Sequence, residues 1–351
     1  MKKVLLNSDL KPILCSLVVL LFNFSVKASK KAASPPAKIH LNIEYKQALK
    51  TDTLYVAIAE DILFSLTGDR RKQFTAVPDK RGIYHFQIPV AATSGYFILS
   101  KTRAIKRTNF TDPVRLVEPQ YWELGDSINV QITRFKETTL GGDAYCAFSG
   151  RGSEKYNLVN EISHFELPSN KFKDSSEPWP KNWYGNILEF DEFDSISSYK
   201  TAVLELLESR KKHLTALSYQ VIKANVIYSN QGGVFALIRQ LVYDGRFNKL
   251  DQKTRQAFIQ RLVHSYQYQE NYGIPDSALA LSIDFLTFVS GKIVTEAYLN
   301  TGGYDLDEIY RINKKYPLSK DIKETLITKF LWSPMRGSQQ IYHLYTDAKS
   351  F

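Results

Sequence analysis

Between residues 38 and 150, apolar side chains fall mostly at every second position. Leu54, Val56 and Ile58 form one such run. Tyr84, Phe86 and Ile88 alternate with His85 and Gln87, and Ile128, Val130 and Ile132 alternate with Asn129, Gln131 and Thr133. A period of two sends one set of side chains to a buried face and the other to water, so each run predicts a strand. Tyr96 to Leu99 is a short continuous apolar stretch. Pro78-Asp79-Lys80-Arg81-Gly82 and Gly125-Asp126 carry the turn chemistry that separates strands. Several short strands at this spacing predict an antiparallel sandwich or partial barrel.

After residue 150 the period becomes helical. Leu158, Ile162 and Phe165 lie on one face of a helix predicted to start near Ser153. From about Ser195 to Tyr228, Val203, Leu207, Leu214, Leu217, Val221, Ala224 and Tyr228 follow steps of three and four, which predicts one long amphipathic helix ended by Gly232-Gly233. Shorter helices are predicted at about 234–243, 252–267, 276–290, 305–315 and 319–332. Leu250-Asp251 and Leu318-Ser319 place an oxygen where it can cap the first-turn amides. The fold class expected is therefore α+β: an N-terminal antiparallel β-sandwich-like domain over 38–150, followed by an all-helical domain over 151–351.

The first residues follow a different pattern. Lys2, Lys3 and Lys11 precede an apolar stretch from Pro12 to Val26, and Val26-Lys27-Ala28 offers a cleavage site. Basic residues, a short apolar run and small residues together predict a secretory signal peptide over 1–28. The run is shorter than the roughly 20 apolar residues a membrane span requires, and Asn23 interrupts it. Residues 29–37 (SKKAASPPA) read as a flexible tail, and no later segment is apolar enough to span a membrane. The expected location is outside the cytoplasm, in the periplasm or cell envelope of a bacterium.

Charge and cysteine usage narrow the chemistry. Of 46 basic and 36 acidic residues, cleavage removes Lys2, Lys3, Lys11, Lys27 and Asp9, leaving a mildly basic chain of net charge +7. Its basic residues are spread along the chain, without the clustered face of a nucleic-acid binder. Cys15 leaves with the signal, so Cys146 alone remains, flanked by Tyr145, Ala147 and Phe148 in what reads as a buried strand. One cysteine forms no internal disulfide and no dithiol centre. The six histidines make no HExxH pattern, and no two lie three or four apart on one helix. Glu189, Asp191, Glu192 and Asp194 contain interleaved phenylalanines and no glycine, unlike a calcium loop. They read as negative charge entering the N-terminus of the long helix. No phosphate loop or GxSxG elbow is present. The sequence thus nominates no catalytic, cofactor-binding or metal-ligating residue. Trp179, Trp183 and Tyr184 (PWPKNWYG) form an aromatic loop that could contact a ligand such as a sugar, or plug a joint between domains.

Two segments carry a family resemblance. Tyr121 to Ile128 (YWELGDSI) and Phe148 to Tyr156 (FSGRGSEKY) resemble the N-terminal region of exported bacterial TlpA-like, thioredoxin-fold thiol-disulfide oxidoreductases. In larger members, the resemblance implies, a β-rich domain and a helical segment precede a C-terminal thioredoxin domain whose CxxC pair does the chemistry. This chain has no CxxC and reaches Phe351 straight after its helical region, so no functional residue carries over. The expectation is an exported, non-catalytic envelope module without cofactor that binds a partner protein or ligand. The alternatives are a glycan-binding or glycan-processing protein using the aromatic loop, and the non-catalytic half of a thiol-disulfide exchange system.

Overall fold

Among the described residues eight strands form, most of them where apolar residues alternate. They are β1 (Ala37–Tyr45), β2 (Leu54–Ala59), β3 (Lys72–Ala76), β4 (Ile83–Val90), β5 (Ser94–Lys101), β6 (Val114–Glu123), β7 (Ser127–Glu137) and β8 (Gly142–Arg151). The computed structural model describes residues 37–48, 52–59, 72–102, 114–137, 142–165, 192–229, 235, 239, 241–243, 245–257 and 272–332. The described residues from Lys38 onward belong to one compact unit.

Two four-stranded sheets, in the orders β4-β1-β7-β8 and β3-β2-β5-β6, enclose a common core. Ile39, Leu41 and Ile43 of β1, Tyr84, Phe86 and Ile88 of β4, and Ile128, Val130 and Ile132 of β7 meet Val56, Ile58, Phe97, Leu99 and Trp122 from the other sheet. The pairings β2–β3, β2–β5, β5–β6 and β7–β8 are antiparallel. The expected antiparallel arrangement has a departure: β1 runs parallel to β7, with Leu41 opposite Ile128 and Ile43 opposite Val130. A parallel pair needs a long crossover, and here strands β2 to β6 all lie between its two members.

β5 is buried on both faces, which explains its continuous apolar run. Phe97 and Leu99 face the sandwich core, whereas Tyr96, with Ala59 and Tyr121 of neighbouring strands, joins the helical core. Tyr96 and Tyr121 pack edge to face at 5.6 Å, and the Tyr96 hydroxyl donates to the Leu281 carbonyl at 2.7 Å.

The described helices are α1 (Ser153–Ser163), α2 (Glu192–Arg210), α3 (Ala216–Tyr228), α4 (Asp276–Leu279), α5 (Ile283–Thr301), α6 (Leu306–Lys315) and α7 (Lys320–Trp332). The predicted helix over 195–228 is two helices. After a 3-10 turn at Lys211–His213, Thr215 adopts an extended conformation and its hydroxyl accepts from the Ser218 amide, starting α3 afresh. The predicted 276–290 helix is likewise divided. Ser282 is extended and accepts from the Phe285 amide, which begins α5. Asp251 caps as expected, accepting from the Thr254 amide at 2.9 Å. Val221, Ala224 and Tyr228 of α3 pack with Phe285, Phe288, Val289 and Ile293 of α5 and with Ile322, Leu326 and Phe330 of α7. Among the described residues, no helix is long and apolar enough to cross a membrane.

Candidate functional site

The two segments that carry the family resemblance meet in space. The first makes the tight turn between β6 and β7, closed by the Asp126 amide donating to the Glu123 carbonyl at 3.1 Å. The Asp126 carboxylate returns to the Glu123 amide at 2.9 Å. The second segment ends β8 and enters α1 through Gly152, whose φ is 86°. A Cβ there would lie 2.0 Å from Asp126 Oδ1, so both the backbone conformation and the approach of the carboxylate demand glycine. At Gly150 (φ 99°) a Cβ would lie 2.2 Å from the Ser127 carbonyl oxygen.

This close approach aims α1 at the turn. Lys155 Nζ lies 2.8 Å from Asp126 Oδ2 and 3.2 Å from Glu123 Oε2. Tyr156 donates to Asp126 Oδ2 at 2.5 Å, while its ring stacks on Phe148 and packs beside Phe97 in the sandwich core. Burial and the Asp126 charge push the Tyr156 hydroxyl well above the usual tyrosine range. Lys155 and Asp126 are each only 5% exposed. A charge so buried is tolerable only with partners.

A third element closes the cluster. Glu123 accepts from Thr215, the N-cap of α3, at 2.9 Å and from Ser218 in that helix's first turn at 2.5 Å. Thr215 thus caps α3 and ties that helix to a strand end 92 residues earlier. Two carboxylates, one ammonium and three hydroxyls form one network linking both sheets, α1 and α3. Its donors all point inward onto carboxylate oxygens, so its chemistry is that of a fastening. Sequence reasoning singled out both segments but missed this pairing. The first segment offers Asp126 beside Gly125, but in the second Lys155 lies three residues past Gly152, so no local pattern marks it as the partner.

α1 also covers the outer edge of β8. Asn157 donates its amide N–H to the Phe148 carbonyl at 2.8 Å and accepts from the Phe148 amide at 2.9 Å. Asn160 donates to the Cys146 carbonyl at 3.1 Å. These side chains take the place a neighbouring strand would fill.

Cys146 lies on β8, half-buried against the sandwich core, and burial pushes its thiol up to about 12. A thiol so raised supplies little of the thiolate that thiol chemistry needs. His164 stacks on Tyr145 at 4.7 Å and bonds the Asn160 carbonyl. His85 bridges Asp79 and Asn42 on the outer face of the β4-β1-β7-β8 sheet. In the helical half, Lys200 donates to the Ile227 carbonyl at 2.7 Å, and burial lowers its ammonium to about 8. Asp284, at the start of α5, is raised to about 6 by burial. Among the described residues, no three His, Cys, Asp or Glu side chains come together to hold a metal ion. Trp179, Trp183 and Tyr184, the signal segment 1–28, the acidic residues Glu189 and Asp191, and Gly232-Gly233 lie outside the described residues.

In comparisons with known proteins, no family model matches the chain and no curated protein matches it.

Proposed function

We propose that this chain is an exported, non-catalytic module of the cell envelope, serving as the partner-binding accessory part of a TlpA-like thiol-disulfide system. One observation carries the reading. Three of the five charged residues of the two motif segments, Glu123, Asp126 and Lys155, are consumed in a mutual, largely buried network that joins the sheets to α1 and α3, while Arg151 and Glu154 are exposed. Residues so enclosed support a scaffold, whose recognition falls to its surface. The raised Cys146 thiol points the same way. Export rests on the basic and apolar pattern of residues 1–28.

Two measurements on protein expressed with its leader test this. N-terminal sequencing of the envelope fraction is expected to begin at Ser29, and a chain retained in the cytoplasm with Met1 intact would overturn export. In an insulin-reduction assay the mature protein is expected to match buffer alone. Turnover that disappears in Cys146→Ser would refute the non-catalytic reading.

A further inference from the structure

We draw no further inference here: the strongest candidate, the polar outer face of the β4-β1-β7-β8 sheet around His85, Asn42 and Asn129, is bonded within itself across the strands, and nothing in the structure shows what covers it.

Discussion

At Gly152 two constraints meet. Its positive φ alone would cost a side chain about 1–2 kcal/mol, and the Asp126 carboxylate occupies the space a Cβ would take. Gly82 has a similar φ of 79° but nothing within 4 Å of a Cβ, so it isolates the backbone term. Gly152→Ala is therefore expected to lower stability in urea unfolding clearly more than Gly82→Ala does. Equal losses would mean that the approach of Asp126 to Gly152 contributes nothing. The same crowding explains why Lys155 and Tyr156 are buried although they open a helix. The turn geometry brings Asp126 to them, and the ring of Tyr156 completes the sandwich core.

The helices and strands owe their limits to local chemistry that is sometimes visible in the sequence. Thr215 is the clearest test. It caps α3 and also donates to Glu123. Thr215→Ala is expected to cost about 1–2 kcal/mol in unfolding free energy, with Thr215→Ser recovering most of it; an unchanged alanine variant would contradict both roles. This cap went unread because Leu214 and Leu217 keep the helical period running through the break, so the apolar stripe alone predicts one helix. Alternation made β2, β4 and β7 legible, and continuous burial made β5 legible. β1 has the same alternation in Ile39, Leu41 and Ile43, yet it lies beside the Pro-rich stretch read as a tail, and its parallel pairing with β7 depends on contacts across the whole sandwich. β3 is short and mostly exposed, and β6 carries Pro119 within it, so neither advertises itself. The network escaped reading for a similar reason. Glu123 meets Ser218 across 95 residues, and no local period records such a distance.

Across the whole molecule, buried cations set an alkaline preference. Burial lowers Lys200 and Lys329 to about 8 and Lys292 to about 7, from 10.5. Each such lysine penalises the fold fully below its folded value, and the penalty disappears as pH approaches the unfolded value. Cys146, raised to about 12 from 9.0, and the tyrosines raised above 10.0 act oppositely at higher pH, because their folded forms resist ionisation. Tm is therefore expected to rise between pH 7 and 9 and to fall beyond about pH 10; a flat or falling Tm between pH 7 and 9 would contradict the burial of these lysines. In acid the contributions oppose one another. Asp284, raised to about 6, penalises the fold at neutral pH and ceases to do so below 3.8. Asp79 and Glu308, held near 2 by hydrogen bonds, lose their contribution as pH falls towards that value. The molecule as a whole is a sandwich and a helical layer held by shared apolar contacts and by the polar network at the β6–β7 turn. A double-mutant cycle on Asp126→Asn and Lys155→Met, followed by urea unfolding, tests that network most directly. Each single variant is expected to lose up to about 3–5 kcal/mol, because Lys155→Met leaves the Asp126 carboxylate with neutral donors only and Asp126→Asn leaves Lys155 with Glu123 as its one carboxylate partner. The double variant is expected to lose far less than their sum. Losses that add to within about 0.5 kcal/mol would show that the two residues act independently, and the fastening between the two segments would have to be abandoned.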